Sequence, residues 1–214
     1  MSQRVVILDY GMGNLRSVEK ALEHLGAEAV VSHDPLVAES APAVILPGVG
    51  AFGDAIAGLK SSGLWNVTKD RAEEAKAGGR PFLGICLGMQ ILMESSEESP
   101  GIQGLGTFAG GCKLMKPTGL KVPQMGWNAL NFSPTNRCPL YAGLQNPAYV
   151  YFVHSFEVVP EDPGILSATT EYGKPVAASL HQGNLSATQF HPEKSQTVGL
   201  AMLRNFLALQ SVPA

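Results

Sequence analysis

"PFLGICLGMQ", residues 81–90, runs from apolar, strand-like residues into a cysteine bracketed by Gly84 and Gly88, then into an apolar, helix-like stretch. Gly-x-Cys-x-Gly at the point where a buried strand gives way to a helix is the strand-turn-helix context of a nucleophile elbow, with sulfur in place of a serine oxygen. Such a turn crowds the backbone. The two glycines remove side chains that would clash, and the thiol sits near the positive end of a helix, which favours thiolate. A free cysteine is most often a small buried hydrophobe, and Cys112 and Cys138 fit that description. The flanking glycines set Cys86 apart as the candidate nucleophile.

Outward from the elbow, the apolar runs at 5–8, 43–46 and 82–85 are short, largely unalternating and bounded by Gly or Pro, as strands buried on both faces are. Helical spacing lies between them. Val18, Ala21, Leu22 and Leu25 follow i, i+3, i+4, i+7 and stop at Gly26, and a second helix is predicted over 64–77, before Gly78-Gly79. This alternation predicts an α/β fold with a parallel sheet and right-handed crossovers. From about residue 100, Gly, Pro and Thr punctuate short strand candidates: "GCKLM", "YVYFVHSFEVV", "LSATTEY", "VAASLHQG" and "LSATQF". These predict antiparallel strands added to or beside the parallel sheet. Leu200, Leu203, Phe206 and Leu207 predict a final helix docked on the core. The whole, residues 1–214, reads as a single domain.

Composition narrows the function. The chain is 45% hydrophobic and 15% charged with a net charge of −3, and its Lys and Arg are scattered, which gives no electrostatic footprint for nucleic acid or an anionic membrane. The start lacks a secretory pattern and no apolar run is long enough to span a bilayer, so a cytoplasmic protein is expected. Three cysteines without a C-x-x-C pair argue against a disulfide framework and a zinc site, so no metal or cofactor is expected.

A cysteine nucleophile needs a base. In "QFHPEKS" (189–195) Pro192 biases His191 toward an extended conformation, and the period of two then puts His191 and Glu193 on one side. The carboxylate could hold the imidazole tautomer while the other ring nitrogen faces Cys86, the logic of a Cys-His-acid triad. In "LPGVGAFGD" (46–54), glycines at 48, 50 and 53 let backbone N–H groups turn toward a ligand. A donor from Val49 or Gly50, with the N–H of Leu87, would form an oxyanion hole.

With these segments in hand, the sequence resembles the class I (triad) glutamine amidotransferases, and within them the glutaminase subunits of imidazole glycerol phosphate synthase. The broad class shares G-x-C-x-G-x-Q and H-P-E, here 84–90 and 191–193. The narrower likeness rests on "DYGMGNLRSV" (9–18), "LPGVGAFGDA" (46–55), "VPQMGWN" (122–128), "VHSF" (153–156) and "QFHPEKS". The resemblance implies a flavodoxin-like amidotransferase fold in which Cys86 attacks the side-chain amide of glutamine, His191 shuttles the proton to the leaving ammonia and Glu193 orients His191. It also implies that Gln90, His154, Ser155, Phe156 and Gly50 hold the glutamine. Without the resemblance, His154 reads as a core histidine and Gln90 as an ordinary helix residue.

The resemblance further implies a heterodimer with a separate (β/α)8-barrel cyclase subunit. That subunit uses the ammonia to convert a phosphoribulosylformimino-aminoimidazole carboxamide ribonucleotide to imidazole glycerol phosphate and aminoimidazole carboxamide ribonucleotide in histidine biosynthesis. Tyr10, Asn14, Met125 and Trp127, placed on loops, are expected interface anchors, and by analogy Arg16 and Lys194 join them. Trp127 reads equally well as a core aromatic. Gln124 departs from the family pattern, in which His is more often found.

Other readings stay open on the residues alone. "DYGMGNLR" after the first strand hints at dinucleotide binding, but Arg16 stands where the fingerprint needs its third glycine. A cysteine hydrolase or repair enzyme on a related fold would share the elbow. A glutaminase of anthranilate or pyridoxal phosphate synthesis would share the whole triad.

Overall fold

The computed structural model describes residues 3–211, so the ends of the expected 1–214 domain lie outside the described residues. The first half alternates β1 (Arg4–Leu8), α1 (Leu15–His24), β2 (Glu28–Ser32), α2 (Pro35–Ser40), β3 (Val44–Gly48), α3 (Phe52–Ser61), α4 (Trp65–Lys76), β4 (Phe82–Cys86) and the single turn α5 (Leu87–Gln90). The second half supplies β5 (Met93–Ser96), β6 (Phe108–Leu114), β7 (Gln124–Phe132), β8 (Ala148–His154), β9 (Phe156–Pro160), β10 (Leu166–Glu171), β11 (Pro175–Gln182), β12 (Leu185–Thr188) and α6 (Gln196–Ala208). A nine-stranded sheet runs in the order β2-β1-β3-β4-β12-β11-β10-β7-β8, and β5-β6-β9 form a separate small sheet.

The strands from β2 to β12 pair in parallel and those from β12 to β8 antiparallel. Alternation divides the apolar residues of each parallel strand between two cores. Val6, Leu8 and Leu46 face one with Phe52, Ile56, Leu59 and Met89, while Val5, Ile7 and Ile45 face the other with Phe152, Leu203 and Phe206. Burial on both faces is why these strands read as unbroken apolar runs. Helix α1 stops as its sequence predicts: Gly26 takes φ +82°, and the N–H of Ala27 closes back on the Leu22 carbonyl at 3.1 Å.

The structure corrects several expectations. "YVYFVHSFEVV" is two strands, because the chain breaks at Ser155 and sends β8 to the large sheet and β9 to the small one. "LSATQF" yields β12, which is antiparallel to β11 but parallel to β4, whose register pairs Ala187 with Gly84. "MGWN" (125–128), expected on a loop, lies within β7, next to the outermost strand. One face of that strand is open to solvent, so its sequence shows no apolar run. Elements β2, β5, α2 and α3 carry no periodic signal of their own strong enough to predict them. Each is short or lies beside Gly-rich sequence, and tertiary packing decides its state.

Candidate active site

The elbow forms where β4 ends. Cys86 holds φ +55° and ψ −108°, a conformation an L-residue adopts only under restraint, at a cost of about 1–3 kcal/mol. The surroundings impose it. A Cβ on Gly88 would run into the Leu46 carbonyl of β3, and one on Gly84 would come within 2.9 Å of the Gly88 carbonyl, so only glycines allow the turn to pack this closely. The following helix is a single turn, Leu87–Gln90. The dipole expected to favour thiolate there is correspondingly small.

His191 reaches the sulfur from the end of β12. Its backbone is extended, as Pro192 predicts, but residues 192–194 form a 3-10 turn in place of a continuing strand. The turn, and not a period of two, brings Glu193 Oε1 to 2.7 Å from His191 Nδ1, with side-chain exposures of 1% and 2%. The other nitrogen, Nε2, is buried without a protein partner of ordinary hydrogen-bond geometry and interacts electrostatically with Cys86. Burial disfavours the charged ring, yet the Cys86 sulfur and the Glu193 carboxylate outweigh burial and push the His191 pKa up to about 10. Both neighbours therefore favour the charged form of the His191 ring. Strand β8 holds His191 in place: its N–H donates to the Tyr151 carbonyl at 3.0 Å. Ser195 Oγ donates to the His191 carbonyl at 2.6 Å and accepts from the Tyr151 N–H at 3.0 Å.

A cavity of about 300 Å³ opens over the sulfur. It brings together Cys86, His191, Val49, Gly50, Leu87, Gln90, His154, Ser155 and Phe156, all named from sequence. Gly48 pairs with Cys86 across β3 and β4, which carries the 49–50 segment alongside the nucleophile. Gly50 takes φ +107°.

Both N–H groups of Gln90 Nε2 are committed within the protein, to the Phe156 carbonyl at 3.2 Å and to Gln189 Oε1 at 3.1 Å. Only its carbonyl oxygen remains for a ligand. His154 Nδ1 donates to the same Phe156 carbonyl at 2.8 Å, and its Nε2 meets the Gln124 side-chain amide at 3.0 Å. Burial pushes the His154 pKa down to about 4, against the effect of that carbonyl, so the ring is neutral.

Four residues of the site escaped the sequence reading. Gln189, fully buried, donates from Nε2 to Cys86 Sγ at 3.7 Å. It lies two residues before His191 in the same "QFHPEKS" segment. Glu98 lines the cavity and accepts the Phe52 N–H at 2.7 Å, while Ser99 Oγ accepts the Gly53 N–H at 3.0 Å. Residues 98–99 thus anchor the start of α3 just beyond the 49–50 segment. Ser195 is the fourth. No local pattern marks Glu98 or Ser99, because each acts on a segment 46 residues away, and Ser195 joins its near neighbour His191 to Tyr151, 44 residues away.

Among the expected interface residues, Tyr10 is a correction. It is 3% exposed, its hydroxyl donates to the Pro47 carbonyl at 2.8 Å, and it packs in the core, so it offers no surface anchor. Arg16 and Lys194 are exposed and Asn14 is half-buried, and α1 packs beside the 192–194 turn. Met125 and Trp127 alternate outward on β7 at 63% and 45% exposure, and the Trp127 ring meets Tyr151 edge-on at 6.1 Å.

A mixed sheet with helices on both faces and a strained cysteine at a strand-to-helix elbow, faced by a buried His-Glu pair, is an arrangement suited to amide hydrolysis. The chain matches the family "Glutamine amidotransferase class-I" over residues 6–209 and belongs to it. Within that family it is 48% identical over 204 residues to the imidazole glycerol phosphate synthase subunit HisH of Aquifex aeolicus, covering 95% of each chain. It is 49% identical over 207 residues to the HisH subunit of Thermosynechococcus vestitus, covering 96% of each. A crystal structure of a glutamine amidotransferase shares the fold with a TM-score of 0.73, at 22% identity over 97% of this chain and 99% of that one. Among the described residues no helix is long and apolar enough to cross a membrane.

Proposed function

We propose that this chain is the glutaminase subunit of an imidazole glycerol phosphate synthase, acting in the cytoplasm as a heterodimer with a (β/α)8-barrel cyclase. The observation that carries the chemistry is Cys86 at positive φ in the floor of a cavity it shares with His191, itself oriented by Glu193 at 2.7 Å. The near-full-length likeness to HisH subunits supports the pathway.

The Cys86 thiolate attacks the side-chain amide carbon of glutamine, and the carbonyl oxygen gains the charge. N–H groups of Leu87 and of the Val49–Gly50 segment receive it. His191, protonated, gives its proton to the amide nitrogen as the C–N bond breaks, releasing ammonia and leaving a γ-glutamyl thioester. Water, activated by His191 as base, then adds to the thioester, and glutamate leaves as the thiolate is restored. Glu193 holds the imidazole and stabilises its charged form throughout. The Gln90 carbonyl oxygen and the Glu98 carboxylate accept from the α-ammonium group of the substrate, since both line the cavity and neither can donate. Ser155 and Phe156 close the opposite wall. Met125, Trp127, Asn14, Arg16 and Lys194 meet the cyclase, on a surface continuous with the His191 turn through α1 and β8.

The test is glutamate release by the chain alone, with a barrel cyclase, and with cyclase plus its nucleotide substrate or a stable analogue. A sharp rise only in the last mixture is expected. Strong activity in the isolated chain, indifferent to the cyclase, would assign the triad to another pathway.

A further inference from the structure

We infer that Gln189 is a further catalytic residue, a hydrogen-bond donor to the Cys86 sulfur whose orientation is forced by a directional chain of amides. This rests on the reading of Cys86 as nucleophile.

The direction is set at the far end of the chain. The Phe156 carbonyl can only accept, so the Gln90 amide must turn its NH2 group toward it. The same nitrogen then points its second hydrogen at Gln189 at 3.1 Å, where only the carbonyl oxygen of that amide is a compatible partner. With Gln189 Oε1 fixed there, its Nε2 is left aimed at Cys86 Sγ, 3.7 Å away. Reversing Gln189 would bring two NH2 groups together and face the sulfur with a lone pair. Gln189 and Gln90 are 0% and 5% exposed, so water does not offer either amide an easy substitute.

A donor at this position favours thiolate over thiol. The bond is present before attack, weakens in the thioester and returns when the sulfur leaves, so both half-reactions end or begin with Gln189 bonded to a charged sulfur. It also takes over the task that the one-turn helix α5 is too short to perform. The Cys86 thiol has its own acceptor in the Val153 carbonyl at 4.0 Å, so the Gln189 N–H and that carbonyl address opposite protonation states of one sulfur.

The titratable groups around the sulfur are His191 with Glu193 behind it, His154 and Glu98 in the cavity lining, and the buried Tyr10 hydroxyl, which senses Cys86 electrostatically. None is altered by changing Gln189. Alkylation of the full chain by iodoacetamide across a pH series, followed on the Cys86 peptide by mass spectrometry, therefore reads the thiolate directly. Gln189→Met should raise the alkylation midpoint by about one pH unit and lower kcat for glutamate release about tenfold with a smaller change in KM. Gln189→Leu, which removes the donor without adding a charge, should raise the midpoint similarly. Midpoints that coincide with wild type in both variants would overturn the inference, even if kcat fell. If neither variant folds, the Gln189 side-chain NH2 resonances of the wild-type chain decide: they should titrate with the Cys86 midpoint and lose that titration in Cys86→Ala, and pH-independent resonances would overturn it. Retention of glutaminase activity in Cys86→Ala would instead sink the nucleophile assignment, an outcome distinct from a failure of Gln189 alone.

Discussion

His191 Nδ1 lies 2.7 Å from Glu193 Oε1, and both side chains are almost wholly enclosed by protein. The second carboxylate oxygen, Glu193 Oε2, is buried without a hydrogen-bond partner, as is His191 Nε2. An unsatisfied carboxylate oxygen beside an imidazole is costly unless the ring carries charge, so the pair is built for an imidazolium. Glu193→Gln keeps the shape and removes that charge. It should lower kcat by about 10²- to 10⁴-fold while the chain stays folded, checked by glutamate release and thermal melting.

Cys86→Ser should abolish glutamine hydrolysis, with a loss of about 10³-fold or more, because a serine hydroxyl in this site is not ionised by an imidazole of raised pKa. The melting temperature should move by no more than a few degrees, roughly the effect of about 1 kcal/mol. Hydrolysis at the wild-type rate would refute the mechanism.

The elbow's packing gives a stability prediction. Because a Cβ on Gly88 would run into the Leu46 carbonyl, which is backbone and cannot swing away, Gly88→Ala must separate β3 from β4 or unwind the turn. A loss of about 3 kcal/mol or more, or failure to accumulate folded protein, is expected in urea denaturation. Gly11, around which a Cβ would find no atom within 4 Å, is the control: strain from its φ of +86° alone should make Gly11→Ala cost only about 1 kcal/mol.

His154 makes stability depend on pH. Its pKa is about 4 in the fold and 6.5 as the reference for the unfolded chain, so the unfolded state binds the extra proton first. Stability is then unaffected above pH 6.5, falls as pH drops from 6.5 toward 4, and is flat in this respect below. The full difference is on the order of 3 kcal/mol. Urea midpoints measured from pH 7 to pH 4 should show this slope in wild type and a reduced one in His154→Gln.

The outward alternation of Met125 and Trp127 along β7 predicts where a partner is felt. Trp127→Ala should leave the melting temperature within about 2 °C of wild type, since nearly half the ring is exposed, and weaken association with a barrel cyclase by roughly 10- to 100-fold. Titration calorimetry or analytical ultracentrifugation of the mixed subunits would check both.

Much of the site was legible because it is local. Gly84, Cys86 and Gly88 sit within five residues, and His191 and Glu193 within three, so spacing alone could name them. The same locality misled where geometry mattered: Glu193 reaches His191 through a 3-10 turn, and Tyr10, read as a loop anchor, folds back to bond Pro47. The second half of the chain was harder. Strand β7 shows one face to solvent and so lacks an apolar run, and the split at Ser155 follows from two sheets competing for one continuous apolar segment.

By itself the sequence determined the parallel α/β half, the glycine-flanked elbow at Cys86 and the nearness of Glu193 to His191, because short-range sterics and chain proximity act over a few residues and leave a pattern in the chain. Only the tertiary structure decided that β12 runs parallel beside β4, that Gln189 and Gln90 form an amide chain ending on the sulfur, and that Glu98 grips the start of α3. Those contacts join residues 46 to 103 positions apart, where no local propensity specifies a partner and only the packed sheet and its buried hydrogen bonds can choose one.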